Sequence, residues 1–339
     1  MRIMKSSLFW PCTTLALLVI LNAVVNPAFL SIAWRDGHFY GNLIDILNRA
    51  APLALVSTGM TLVIAARGLD ISVGAVVAIA AATAAVLIGG SLNLGGGESA
   101  SEHPLWLAIV ASLGISLVCG LWNGALVVGA GMQPIIATLI LMVAGRGIAQ
   151  LITGGQIITI YYAPYSYLGN GFFAGLPFAA VLAALVIIAT ALLLARTPLG
   201  LYIRAIGINP VAARIAGIRA KPITLALYGF CGLLAGVAGL IVSSNVRSAD
   251  ANNAGQLMEL DAILAVTLGG TALTGGKFSL AGTTLGALII QTLTSTIYSL
   301  DVPPEINLVF KAALIFIVML LQSADFRASL VKLARRGAA

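Results

Sequence analysis

Long apolar runs recur along the whole chain, each close to the length that crosses a bilayer. They lie near residues 8–31, 51–66, 72–91, 105–128, 134–153, 177–195, 223–243, 261–274, 279–298 and 307–322. A helical span takes roughly 20 predominantly apolar residues, because hydrocarbon tolerates only a backbone that bonds within itself. Ten such runs leave short connections and no room for a separate soluble domain within the 339 residues. Composition agrees: 60% of residues are hydrophobic and 9% charged, against about 45–50% and about 25% in ordinary globular chains. The expected fold is an all-α polytopic membrane protein of about ten transmembrane helices, with residues 1–339 forming one domain. Met1–Lys5 followed by Leu8–Leu21 has the outline of a signal peptide. No small-x-small cleavage site follows Leu21 and apolar sequence continues to Ala33, which predicts a retained first span.

The net charge of +7 is distributed for a membrane rather than for nucleic acid. With the N-terminus in the cytoplasm, alternate connections collect the basic residues: Arg2, Lys5, Arg67, the five of 196–222, Lys277 and the four of the 325–339 tail. The other connections hold Arg35, Arg49 and Arg247. They also hold most of the acids, including Asp36, Asp45, Glu98, Glu102, Asp250, Glu259, Asp301 and Glu305. Lys/Arg asymmetry sets orientation, so both termini are expected inside. The tail at 325–339 alternates basic and apolar residues and is expected on the anionic inner leaflet. The Gly-, Ser- and Glu-rich stretch Ser91–His103 reads as an exposed outer loop.

Catalysis finds no footing. The nearest approach to a phosphate-binding loop ends at Gly276-Lys277, but Thr271 stands where its first glycine belongs and Phe278 where its Ser or Thr belongs. His38 and His103, the two histidines, fall in outer loops, and Cys12, Cys119 and Cys231 sit in apolar runs without metal or redox spacing. No cofactor or metal is expected on this chain.

One connection is unlike the others. Arg196–Pro222 carries Arg196, Arg204, Arg214, Arg219 and Lys221 and no acid. Asn209 is a good helix N-cap, Pro210 suits the first helical position, and Gly217 is placed for a left-handed C-terminal cap. A short capped helix is more than a reverse turn needs. It is either a basic inner loop or a docking element for a cytosolic partner.

Polar residues within the spans are costly in hydrocarbon and tend to face a cavity or a neighbouring helix. Arg146 lies between Gly145 and Gly147, with Gln150 and Thr153 on the same helical face. Asn123 lies in the preceding span, and Gln291 and Ser295 share a face of the ninth. These six are candidates for a substrate path, with inter-helix bonding as the alternative. Gly232 with Gly236 and Gly282 with Gly286 have the spacing for close helix approach. Asp70, beside Gly68 and followed by Ser72 and Gly74, is expected to cap the third span and fix a helix break there. Gly275 and Gly276 open the ninth span in a similar pattern, a weak sign of internal duplication.

Several stretches together resemble the permease subunits of ribose-type carbohydrate ABC importers. They are Gly59–Ile64 leading into Gly68–Gly74, Leu139–Gly147, and Arg204-Ala205-Ile206-Gly207 with Asn209, Ala212, Ala213 and Gly217. Leu260–Ile263 with Ala265, and Gly269-Gly270-Thr271 with Gly275-Gly276, continue the pattern, which covers residues 43–322. The run Arg247–Gly255 is similar to the galactofuranose-importer branch. Arg67 departs from the pattern, because the family usually has a second glycine there. The resemblance implies that 205–218 holds the coupling helix, with Arg204, Gly207, Asn209, Ala212, Ala213, Arg214 and Gly217 meeting a cytosolic ATP-binding subunit. ATP would act through that subunit. It further implies a second permease chain, identical or paralogous, a periplasmic sugar-binding protein, and a place in the bacterial inner membrane. Transport of a monosaccharide, galactofuranose or similar, would proceed by alternating access. A branched-chain amino-acid ABC permease shares the broad architecture and is the alternative. An ion-coupled carrier needs titratable groups deep in the spans, where the sequence places Arg146 and Lys311 and no carboxylate is expected.

Overall fold

Most of the apolar runs fold as helices, and polar or glycine-rich interruptions set where they stop. The computed structural model describes residues 8–89 and 103–299, with isolated positions between 309 and 320. The tenth run, Lys311, the 325–339 tail and nearly all of the 91–103 loop lie outside the described residues. Twelve α-helices are described: α1 (Phe9–Val25), α2 (Asn42–Ala65), α3 (Val73–Ile88), α4 (Leu105–Val128), α5 (Pro134–Ile152), α6 (Ala163–Asn170), α7 (Phe178–Arg196), α8 (Leu199–Ile208), α9 (Pro210–Ile215), α10 (Ala220–Val246), α11 (Met258–Leu268) and α12 (Leu280–Ser299). Among the described residues six of these, α2, α4, α5, α7, α10 and α12, are long and apolar enough to cross a membrane. The protein is therefore a polytopic helical membrane protein.

α4, α5, α7 and α12 keep close to their expected limits. Three runs do not, each for a local reason. α1 ends at Val25 because Asn26 starts a 3-10 turn, Pro27–Leu30, accepting the Ala28 N–H at 3.0 Å. α2 begins at Asn42, well before the expected residue 51. Apolarity stops at Asp45 and Arg49, but the helical ladder does not. α11 stops at Leu268 instead of reaching 274, and Gly270, Gly275 and Gly276 carry the turn that follows with φ of +84°, +86° and +94°.

α2 is the buried centre, packed by α7, α10, α11 and α12. α10 crosses α4 where Gly229 and Gly232 come against Gly120, and Gly286 of α12 lies on the Ala265 carbonyl of α11. Such small residues let backbones approach closely in lipid, where apolar burial between helices drives little. α4, α5 and α7 leave most of their length outside this core, which suits lipid or a partner.

Of the connections assigned outside by charge, the segments at 33–40, 158–177 and 246–249 share one end of the bundle. The hairpin β1 (Ala33–Arg35) and β2 (His38–Tyr40) meets the hairpin β4 (Phe172–Phe173) and β5 (Leu176–Pro177). The Phe39 N–H reaches the Gly175 carbonyl at 3.0 Å, and the His38 ring stacks on Phe172 at 4.3 Å. β3 (Ile158–Thr159) pairs with β6 (Ser248–Ala249) at the same end. α8, α9 and the turns at 66–72 and 269–279 share the opposite end.

Candidate functional site

The short basic helix is built as its punctuation foretold. The Asn209 side chain accepts the N–H groups of Val211 and Ala212 at 3.0 and 3.1 Å, and Pro210 occupies the first turn of α9. Gly217 follows with φ +82°. Arg214 is in the last turn, a place that favours a cation. Ala205, Ile208 and Ala212 line a shallow apolar depression of about 290 Å³ between α8 and α9.

What ties this element to the bundle is Arg67. Its Nε donates to the Gly207 carbonyl and its Nη2 to the Ile208 carbonyl, both at 2.7 Å. Arg67 itself is left-handed, φ +64°, where a side chain is strained and glycine is not. The departure from the family's paired glycines is thus a strained residue with a task. Gly207 lies so close to the Ala65 carbonyl and the Gly276 N–H that a Cβ has no room there. The Gly276 N–H closes onto the same Ala65 carbonyl at 2.9 Å. The end of α2, the turn before α12 and the end of α8 therefore meet at one point.

The break between α2 and α3 exposes backbone polar groups that lipid cannot satisfy, and neighbouring side chains do so instead. The Leu69 N–H donates to the Tyr228 hydroxyl at 3.3 Å, and that hydroxyl lies 3.2 Å from the Leu69 carbonyl. The Ile71 N–H donates to Thr138 Oγ1 at 3.3 Å. Asp70, buried at 1% exposure, accepts the Ser72 N–H at 3.0 Å and the Ser72 hydroxyl at 2.6 Å. Asn123 donates to Asp70 at 3.2 Å and to Ser72 at 2.7 Å. Asp70 was expected to cap α3, but it binds the residue just ahead of the helix. Ser72 holds the N-cap position without a side-chain cap bond.

On α5, Arg146 reaches the segment that follows β6. Its Nη1 donates to the carbonyls of Ala251, Asn252 and Ala254 at 3.3, 3.4 and 2.5 Å, and Gln150 donates to Asn252 Oδ1 at 2.5 Å. Asp250 organises the segment from within, accepting the N–H groups of Asn252 and Asn253 and the Asn253 amide. Partial burial opposes its ionisation. The Asn253 amide, the two backbone N–H groups and Arg146 outweigh that and hold the carboxyl below the usual carboxylate range. The segment turns inward rather than staying outside. Gly255 packs on the Gly74 carbonyl and Val77, and a Cβ on Gly74 would run into the Gly255 carbonyl and the Glu259 carboxylate. Glu259, assigned outside from its charge, is buried at 4% exposure, and among the described residues its Oε2 has no hydrogen-bond partner. The expectation of no carboxylate within the bundle is corrected by both Asp70 and Glu259.

The six candidate path residues divide into three places. Asn123 is fully buried and spends its amide on the break. Arg146 and Gln150 hold the inward-turned segment, while Thr153 is buried and bonds back to the carbonyls of Ala149 and Gln150. Gln291 and Ser295 line a separate cleft of about 400 Å³ between α2 and α12, with Asp45, Arg49 and Tyr298. Sequence reasoning missed Thr138 and Tyr228. The signal for Tyr228 was a phenolic hydroxyl inside a span, a group that seeks a partner when buried.

Residues 42–319 match the model of a family described as branched-chain amino acid transport system / permease component. The chain belongs to this permease family. The permease is 45% identical to the galactofuranose transporter permease protein of Escherichia coli (strain K12) over 95% of this chain and 93% of that one. It is 38% identical to the fructose import permease protein of Bifidobacterium longum, covering 95% of this chain and 89% of the relative. With the ribose import permease protein of Bacillus subtilis identity is 37%, over 92% and 91%. No solved structure matches the permease significantly. As a permease component it is a transport subunit rather than an enzyme.

Proposed function

We propose that this permease is the membrane subunit of an ATP-driven sugar importer, conducting a monosaccharide by alternating access across the bacterial inner membrane. Galactofuranose or a similar sugar is the proposed solute, on the strength of the relative at 45% identity. The amino-acid reading draws on the family's description, but the relatives above carry galactofuranose, fructose and ribose in their names. Ion coupling is not favoured, because the matched family and the relatives above are named as permeases of transport and import systems.

One observation carries the mechanism: Arg67 ties the end of α8 to the turn between α2 and α3, and Gly276 joins the same point. A push on α9 is therefore delivered to both interrupted helices. In our reading 196–222 faces the cytoplasm, the chain has ten spans with both ends inside, and an ATP-binding subunit seats on α9 and the depression beside it. ATP acts through that subunit, and no cofactor binds this chain. A second permease chain completes the path, and a periplasmic sugar-binding protein delivers solute. Sugar hydroxyls would meet the exposed amides of Gln150 and Asn252, which Arg146 holds in place, with the cleft at Gln291 and Ser295 a second polar station.

The test is reconstitution of the permease with its co-purifying ATPase and binding protein in liposomes, followed by ATP-dependent uptake of labelled galactofuranose, ribose and leucine. Sugar uptake supports the reading. Uptake of leucine alone, or of any solute without the ATPase, overturns it.

A further inference from the structure

At the end of the bundle that carries α8 and α9, a cleft of about 510 Å³ lies between the last turns of α7, the first turns of α8 and the entry to α12. Its size is that of a small-molecule site, roughly 300–1,000 Å³. Its lining is divided. Ala191, Leu194 and Leu201 form an apolar wall continuous with the surface of α7, a helix that leaves most of its length outside the core. Arg204 is the one charged residue in the lining. Its guanidinium carbon stands 5.2 Å from the centre of the Phe278 ring, and among the described residues the group makes no hydrogen bond or ion pair. A cation–π contact of this kind leaves the guanidinium N–H groups available to bind an anion in two-pronged fashion. Arg196 and Lys277 flank the lining in sequence, and no acid occurs between residues 196 and 222.

A sugar does not suit such a place. It offers no anion to Arg204 and no apolar tail to Leu194 and Leu201, and it travels elsewhere, by the Gln150 and Asn252 face. Free phosphate satisfies the arginine but wastes the apolar wall. A basic pocket between helices at the cytoplasmic side, open to the bilayer, fits an acidic lipid. We infer that the cleft holds one anionic glycerophospholipid of the inner leaflet, its phosphate on Arg204 and an acyl chain along Leu194 and Leu201. Bound there, the lipid bridges α8 to the start of α12. α8 is the helix whose end Arg67 grips. Acidic-lipid content would therefore adjust how firmly the coupling element is held.

The experiment is native mass spectrometry of the full-length permease with its ATPase, released from nanodiscs of phosphatidylcholine with or without phosphatidylglycerol. The wild type is expected to keep one phosphatidylglycerol per permease chain. Arg204→Gln lowers that occupancy about tenfold or more, from the loss of a charge-assisted bond. Leu201→Trp, which fills the cleft and leaves the charge, lowers it as well, and Arg214→Gln on α9 does not. Wild-type occupancy in both cleft variants overturns the proposal. So does displacement of the lipid by inorganic phosphate at equal concentration, which marks a free-phosphate site. Release of the ATPase from Arg204→Gln with lipid retention unchanged assigns Arg204 to the subunit interface instead. Lipid retention is read without any solute, so an error in the sugar assignment leaves this outcome standing.

Discussion

Removing the Arg67 side chain tests whether the coupling element is mechanically attached to the helix breaks. Arg67→Ala deletes two bonds from a charged donor to the carbonyls of Gly207 and Ile208, each 2.7 Å long. Such bonds contribute about 1.5–3 kcal/mol each. One bond is exposed and the other part-buried, so the low end is taken for each and the pair contributes about 3 kcal/mol. That is roughly a hundredfold in the population with α8 loosened from the break. Alanine also keeps the strain at φ +64°, whereas Arg67→Gly relieves roughly 1–2 kcal/mol of it while losing the same bonds. The two variants separate tether from strain. In proteoliposomes containing the ATPase and binding protein, both should hydrolyse ATP and move several-fold less sugar per ATP. The glycine variant should melt at the higher temperature. A wild-type ratio of sugar to ATP in both variants would refute the attachment.

Other outcomes follow from the same geometry. Asn209→Ala removes the acceptor for two N–H groups and should cost about 1 kcal/mol of α9 stability; membrane insertion stays normal while hydrolysis uncouples from uptake, checked by blotting and transport in one strain. Arg146→Ala frees the carbonyls of 251, 252 and 254 and should reduce uptake while the ATPase still co-purifies; unchanged uptake kinetics would make Arg146 a packing residue. Gly74→Ala drives a methyl into Glu259 and Gly255 and should lower thermal stability by about 1–3 kcal/mol, read by a melting shift in detergent. Tyr228→Phe leaves the Leu69 N–H without its acceptor and should destabilise the break by about 1–3 kcal/mol, seen as faster hydrogen exchange at residues 68–72.

What the sequence disclosed and what it hid divide along physical lines. Helices α4, α5, α7 and α12 were legible because apolar runs of spanning length are bounded there by proline, glycine or polar residues. The α9 caps were legible because Asn209, Pro210 and Gly217 act on their own neighbours. The Arg67 tether, the Tyr228 and Thr138 bonds and the inward turn of 250–259 join residues far apart in the chain, and no local pattern signals them. Glu259 misled for a further reason. Counting acids by connection assumes that each connection stays in water, and this one folds back against Gly74.

The first turn of α3 is gripped from both directions. Ser72 belongs to the Asp70 and Asn123 network, and Gly74, two positions on, bears the Gly255 and Glu259 segment from the opposite end. The two grips stand two residues apart on α3, about 3 Å of axial rise. The close seating of the second segment on the first turn of α3 depends on Gly74 carrying no methyl group.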